Sequence, residues 1–175
     1  MDVYYLSGGV VCALLALVWD LRKGRIPNHI TYSGMGAALA LRALLGGWHG
    51  SVDGLIGGLL GGGIFLLLFL VRGMGAGDVK LMTAVGLFAG LRQCMVIMVV
   101  TALAGGVLAV AIMIYRKRGF QTLQNLGSLL RYHVMFGLKP HPEINLQNPE
   151  SIRMPYAVAI ATGTLYAFAT VILRG

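Results

Sequence analysis

Charged side chains are scarce in this chain. Only 11% of its 175 residues are Asp, Glu, Lys or Arg, whereas 57% are apolar and the mean hydropathy is +0.79. A soluble domain of this length usually carries about 25% charged residues. The composition therefore excludes an ordinary soluble domain and predicts an integral membrane protein, with residues 1–175 forming a single polytopic domain.

Residues that bind metals or form covalent intermediates are also few. The two cysteines, Cys12 and Cys94, lie inside apolar runs, where each is expected to be a small buried hydrophobe. They form no zinc or disulfide spacing motif. The four histidines are scattered without an H-x-x-x-H pair, and no serine lies in a nucleophile-elbow motif. We therefore expect no metal and no cofactor.

The formal net charge is +8, with 14 basic and 6 acidic residues. No basic face with interleaved aromatic residues is present, so nucleic acid is not an expected partner. Most basic residues lie in the gaps between apolar runs. Membrane topology and contact with anionic lipid account for them there.

Six continuous apolar runs predict an all-α protein with about six transmembrane helices. A helix needs about 20 residues to cross the bilayer core, and the runs lack the alternation of barrel strands. Small residues recur at four-residue spacing in segments 33–41 and 54–63, which favours tight helix pairs. The runs cover residues 3–19, 29–45, 52–71, 79–91, 94–115 and 155–173.

The distribution of Lys and Arg predicts an N-terminus outside the cell. No basic residue precedes the first run and a basic cluster follows it at 22–25, which fits a membrane anchor rather than a cleavable signal peptide. The segments 20–28, 72–80 and 116–154 then face the cytoplasm and contain eleven of the 14 basic residues. Part of 116–154 has apolar residues on one helical face and predicts an interfacial helix.

Three aspartates lie at membrane edges, and the parity of the spans separates them. Asp20 ends the first run and Asp78 opens the fourth run, both on the cytoplasmic side. Asp53 opens the third run on the opposite side, a full crossing of about 30 Å away. Asp20 and Asp78 can thus meet, although the sequence does not indicate whether they touch before substrate enters, while Asp53 is expected to be a helix N-cap or first-turn carboxylate.

In the segment GAGD, Gly75 and Gly77 lie three positions and one position before Asp78. Glycine permits close approach to the backbone that a side chain would block, so an extended peptide substrate could lie there. In a soluble protein such a segment is usually a turn. Beside a second membrane-edge carboxylate it indicates a functional site.

Two segments, DLRKGRIPNHIT (20–31) and GMGAGDVKLMTAVGLFAG (73–90), resemble the signature regions of the type IV prepilin peptidase family, membrane aspartyl proteases of the G-x-G-D kind. The segment MPYAVAIATG (154–163) is similar to the Pro-containing C-terminal span of that family. The resemblance implies that Asp20 and Asp78 are the catalytic aspartates. It also matches the family's Ile-Pro-Asn element to Ile26, Pro27 and Asn28, and its motif lysine to Lys80.

The resemblance implies an aspartic endopeptidase in the bacterial inner membrane. Its substrate would be a prepilin-like protein whose basic leader stays in the cytoplasm and whose apolar helix lies in the bilayer. The chain starts in the first run and has no Cys-x-x-Cys pair, so it looks like the short peptidases of tight-adherence (Flp) pilus systems, and N-methyltransferase activity is not expected. The particular pilin and the oligomeric state are not indicated.

Two neighbouring carboxylates cannot both ionise cheaply, so such a pair is expected to titrate as a unit with one proton retained. The ionised group would activate water and the protonated group would donate to the developing oxyanion. Lys80 has two possible roles. It could bias the protonation of Asp78 or hold a substrate carbonyl, or its side chain could only extend to the membrane interface. Pro27 and Asn28 are expected to start and cap the second run.

Two other functions stay open at this point. Asp20 and Asp78 could bind a proton or a cation in a small ion-coupled carrier, although carrier sites tend to lie near the midplane within inverted repeats. A scaffold without catalytic activity is the other alternative, and it would tolerate Asp→Asn changes.

Overall fold

The computed structural model describes residues 2–71, 73–115 and 155–174, and these ranges contain four helices and no strand. The helices are α1 (Asp2–Lys23), α2 (Asn28–Leu70), α3 (Ala76–Tyr115) and α4 (Tyr156–Arg174). All four are long and apolar enough to cross a membrane. The predicted all-α character is confirmed for this part of the chain, and the predicted interfacial helix within 116–154 lies outside the described residues.

Helices α2 and α3 are each interrupted by one glycine. A straight helix of 43 residues, the length of α2, would be about 65 Å long, roughly twice the thickness of a bilayer core. The backbone of α2 leaves helical angles at Gly47 (φ 57°, ψ −145°) and that of α3 at Gly90 (φ 73°, ψ 176°). Side chains rarely tolerate such angles, whereas glycine does. The breaks fall at or near the gaps between predicted runs, and the count of six spans stays a prediction.

The break at Gly47 turns the chain back on itself. A Cβ atom built on Gly50 would lie 2.9 Å from the carbonyl oxygen of Arg42. Residues eight apart in a straight helix are separated by about 12 Å along the axis. The parts of α2 before and after Gly47 therefore meet near the break.

The second part of α2 packs against α3 through a face of glycines. A Cβ on Gly57 would lie 2.5 Å from the Gly86 carbonyl oxygen, and one on Gly58 would lie 2.7 Å from the side chain of Leu87. Small residues let helix backbones approach closely where lipid provides no hydrophobic drive for association. The tight helix pair predicted from segment 54–63 is confirmed. The buried members of this face are Gly54, Gly57, Gly58, Gly61 and Gly62.

Helix α1 and the part of α3 before Gly90 run antiparallel, and this arrangement positions the site. Gly9 of α1 packs against Phe88, at 3.3 Å from a Cβ built on the glycine. One turn further along α1, Cys12 contacts Gly34 of α2, which also contacts Ala84 of α3. Residue numbers thus rise in α1 as they fall in α3. The C-terminal end of α1 and the N-terminal end of α3 consequently lie at the same end of the bundle.

Candidate active site

Asp20 lies in the last turn of α1, just before the helix is closed by a glycine. Gly24 has a φ of 63°, and its N–H donates a hydrogen bond of 2.8 Å to the carbonyl oxygen of Asp20. A left-handed glycine just after the last helical residue is a common way to end a helix. The Asp20 side chain is half-buried there.

Asp78 is the third residue of α3. The Gly75 N–H donates to Asp78 Oδ2 at 3.3 Å, and the Asp78 N–H donates to the Gly75 carbonyl oxygen at 3.1 Å. A carboxylate that reaches back to the residue before the helix forms one half of a capping box. A Cβ on Gly75 would lie 3.2 Å from Asp78 Oδ2. Gly75 thus leaves room for the carboxylate of its own helix, which is a packing reason that the sequence did not reveal.

The structure brings Asp20 and Asp78 together. From the contact between Gly9 and Phe88, Asp20 is eleven residues along α1 and Asp78 is ten residues back along α3. Both steps correspond to roughly 15–17 Å of helix, so the two aspartates lie at the same depth. Asp20 is also close enough to interact electrostatically with the Asp78 carboxyl group. The two predicted catalytic residues are therefore neighbours at one end of the bundle.

A third polar side chain at this end, Tyr156, was missed by the sequence reasoning. Tyr156 is the first residue of α4, follows Pro155, is half-buried and interacts electrostatically with Asp78. The available signal was a tyrosine that opens the last apolar run at the same predicted membrane side as the aspartates. Tyr156 therefore adds a polar side chain to the end of the bundle where Asp78 lies.

The remaining membrane-edge aspartate, Asp53, lies elsewhere. Its Oδ2 accepts a hydrogen bond from Arg42 Nη1 at 2.8 Å, and its Oδ1 accepts one from the Leu91 N–H at 3.1 Å. Leu91 is thirteen residues after Asp78 in α3, a distance of about 20 Å along a helix. Asp53 was expected to be a helix N-cap or first-turn carboxylate; in the structure its carboxylate accepts the backbone N–H just after the Gly90 break in α3.

The guanidinium of Arg42 is the centre of this second polar group, which we call the Arg42 clasp and define as Arg42, Asp53 and the carbonyl groups of Gly50 and Phe88. Arg42 Nη1 also donates to the Gly50 carbonyl at 3.1 Å, and Nη2 donates to the Phe88 carbonyl at 2.9 Å. Its exposed fraction is only 3%. The clasp joins α2 before its break, α2 after its break, and α3.

The supporting residues named from the sequence form a contact between the start of α2 and the start of α3. Pro27 is the N-cap residue of α2, with φ −67° and ψ 140°, and no side chain caps the helix. The expectation that Asn28 caps α2 was therefore wrong. Asn28 Oδ1 instead accepts a hydrogen bond of 2.8 Å from Lys80 Nζ, which lies 5.0 Å from the ring centroid of Tyr32. Gly77 packs against Ile26.

The polar groups at this end of the bundle, two carboxyl groups and a tyrosine hydroxyl, suit acid–base chemistry. Carboxyl groups accept and donate protons, and the tyrosine hydroxyl can donate a hydrogen bond. Among the residues that the structure describes, no three His, Cys, Asp or Glu side chains lie together as a metal centre would require.

The fold and the site together define a class of protein. It is a polytopic helical protein with two carboxyl groups at one end of its helix bundle. The family model described as Type IV leader peptidase family matches residues 8–110, more than half of the chain. The chain belongs to that family, and membership implies a peptidase of the leader-peptidase type. The match includes both aspartates and ends before Tyr156. No curated protein and no solved structure matches the chain.

Proposed function

We propose that this protein is an aspartic endopeptidase that removes the short leader of prepilin-like substrates, with Asp20 and Asp78 as its catalytic pair. One observation carries the proposal. Two aspartates that are 58 positions apart in the sequence lie beside each other, whereas Asp53 lies against the guanidinium of Arg42. Carboxyl groups that perturb each other at a membrane edge are typical of functional sites.

Hydrolysis by this pair needs one proton shared between two carboxyl groups. The ionised carboxylate takes a proton from water, whose oxygen attacks the scissile carbonyl carbon, while the protonated carboxyl donates to the carbonyl oxygen. The tetrahedral intermediate then collapses, the C–N bond breaks, and the leaving amine takes a proton from the pair. Every proton that one aspartate gains is supplied by water or by the other aspartate, so no further reactant is consumed.

The proposed topology has six spans with the N-terminus outside. The breaks at Gly47 and Gly90 support it, because each divides a helix that is too long for one crossing. The aspartates then lie at the cytoplasmic face of the inner membrane, next to segments rich in Lys and Arg. A substrate with a basic leader in the cytoplasm and an apolar helix in the bilayer fits this arrangement, with lipid around both proteins.

The position of the pair favours a peptidase over an ion-coupled carrier. Asp20 is in the last turn of α1 and Asp78 in the first turn of α3, so both lie at helix ends. Carrier sites usually lie near the middle of the bilayer. A peptide bond between a cytoplasmic leader and a membrane helix would reach the ends of the helices.

Cleavage of a prepilin-like substrate by the purified protein in detergent tests the proposal. Wild type, Asp20→Asn, Asp78→Asn and the control Asp53→Asn are compared by gel shift and N-terminal sequencing, with and without a methyl donor. We expect wild type and Asp53→Asn to cleave, the other two variants to be inactive, and no methylated product. An intact substrate with folded wild type would support the carrier or scaffold alternatives. A folded but inactive Asp53→Asn would contradict the assignment of the pair.

A further inference from the structure

The start of α3 is fastened to the start of α2 on both sides of Asp78. Two positions after Asp78, Lys80 Nζ donates to Asn28 Oδ1 at 2.8 Å across 52 residues of sequence. One position before it, a Cβ built on Gly77 would lie 3.2 Å from the Cβ of Ile26. The residue that carries the carboxylate is therefore bracketed by contacts with one short segment.

That segment, residues 26–28, follows Asp20 in the chain. α1 ends with the Gly24 N–H bonded to the Asp20 carbonyl oxygen at 2.8 Å. Only two residues separate Gly24 from Pro27, the N-cap of α2. The path from Asp20 through residues 24–28 to Lys80 and Asp78 is a continuous series of covalent and hydrogen-bonded links. Such a series limits how far the two carboxyl groups can move apart.

Two residues of α2 hold the ammonium group of Lys80. Asn28 and Tyr32 are four positions apart, so they lie on the same face of the helix. The ammonium group of Lys80 bonds to the Asn28 amide and lies 5.0 Å from the Tyr32 ring centroid, within the range of a cation–π contact. The ammonium group is thus held by two partners in a defined place.

We propose that Lys80 and Asn28 are positioning residues whose hydrogen bond sets the separation of Asp20 and Asp78. This inference rests on the proposed peptidase function. Lys80 acts through the backbone of α3, and its ammonium group is engaged by α2. A role in which the ammonium group binds the substrate directly is a different hypothesis, and the two make different predictions for Asn28.

The expected effect is on the rate of cleavage. The hydrogen bond is solvent-exposed, and exposed polar contacts contribute little to stability. A displacement of about 1 Å in a catalytic group, however, can reduce a rate by about a hundredfold. Lys80→Met and Asn28→Ala should therefore each lower kcat by roughly 10- to 100-fold, with an unchanged KM and an unchanged unfolding temperature.

The experiment uses the full-length protein in detergent and the prepilin-like substrate. Wild type and Asp78→Asn are measured first, so that a failure of the peptidase assignment appears before any positioning variant is interpreted. Lys80→Met, Asn28→Ala and the double variant then form a cycle. We expect the double variant to be no slower than either single variant, and the conservative variant Asn28→Asp, which keeps an acceptor oxygen, to retain most of the rate.

Lys23→Met is the matched control. Lys23 lies at the same end of the molecule, and its ammonium group is 4.2 Å from the Trp19 ring centroid, so this side-chain contact lies within α1 and does not join α2 to α3. We expect Lys23→Met to cleave at the wild-type rate. Equal loss in Lys23→Met and Lys80→Met would show that general basic charge is what matters, and would overturn the proposal.

Three further results would overturn it. In an active wild type, a slow Lys80→Met together with a fully active Asn28→Ala would show that the ammonium group acts by its own charge. The same conclusion would follow if Lys80→Met displaced the pH–rate profile while Asn28→Ala left it in place. Wild-type rates in both single variants would show that the hydrogen bond has no influence on the pair.

Discussion

The aspartates at the two ends of the described bundle have neighbours of opposite charge. At one end, Asp53 lies 2.8 Å from the guanidinium of Arg42 and also accepts a backbone N–H. At the other end, Asp78 is exposed to the charge of Asp20, a group of the same sign. The first arrangement satisfies a charge at a helix break. The second places two carboxyl groups near each other, an arrangement that makes simultaneous ionisation costly and is typical of functional sites.

Both ends are built from the same local elements, namely a glycine, an aspartate and the end of a helix. Gly90 stands beside Asp53, and a Cβ there would collide with both Asp53 and Arg42. Gly75 stands beside Asp78, and its missing Cβ leaves space for that carboxylate. A glycine next to an aspartate therefore does not identify a catalytic centre. The partner of the aspartate distinguishes the two, and the fold supplies it.

The largest effect that can test this comparison is on cleavage. We expect Asp20→Asn and Asp78→Asn each to reduce the rate by about 10³-fold or more, because general acid–base groups typically contribute about 10²- to 10⁴-fold and each reaction needs both. The unfolding temperature in detergent should be no lower than that of wild type. An amide at either position removes a charge from the site, and the amide oxygen of Asp78→Asn can still accept the Gly75 N–H. A loss of both cleavage and stability would indicate a structural role for the pair.

The Arg42 clasp should show its effect on stability. Asp53→Ala would leave a buried guanidinium without its anion and is expected to lower the free energy of unfolding by about 3 kcal/mol. This is the lower end of the range for breaking a buried ion pair, since the Asp53 side chain is half-exposed and the Gly50 and Phe88 carbonyls remain as acceptors. Reversible unfolding in mixed detergent micelles measures it.

Arg42→Met provides the comparison for that experiment. It removes the buried charge together with its need for partners, and the carboxylate left behind on Asp53 is half-exposed. We expect Arg42→Met to cost less stability than Asp53→Ala, and both variants to cleave substrate at temperatures where they are folded. A greater loss for Arg42→Met would mean that packing of the arginine side chain, including its contact with the Tyr5 ring at 4.6 Å, outweighs its charge.

The sequence predicted the pair of aspartates but not their neighbours. Span parity alone places Asp20 and Asp78 on one side and Asp53 on the other. The hydrogen bond between Asn28 and Lys80 joins residues 52 positions apart, and no local pattern encodes such a contact. The capping preference of Asn28 is a local rule that lost to this tertiary partner.

The burial of Arg42 was also beyond the sequence reasoning. Basic residues near apolar runs are usually explained by topology and by reaching the interface. Arg42 is instead almost completely buried, because the break at Gly47 brings Gly50 and Asp53 back to it and α3 brings the Phe88 carbonyl. A prediction would have required the three-dimensional path of both broken helices. The glycine spacing in 54–63, by contrast, reports a helix contact directly, since only close packing explains it.

The smallest predicted effect concerns the glycine face that links the two ends. Gly57→Ala would place a Cβ 2.5 Å from the Gly86 carbonyl oxygen and should cost about 2 kcal/mol of stability, the usual scale of overpacking. Gly63→Ala, six positions later in α2, meets nothing within 4 Å and should gain up to about 1 kcal/mol from its helix propensity. Unfolding of both variants in the same micelles gives the difference. Equal stability would mean that α2 and α3 can separate without cost, and the positions of Asp78 and the Arg42 clasp would then be set independently at each end.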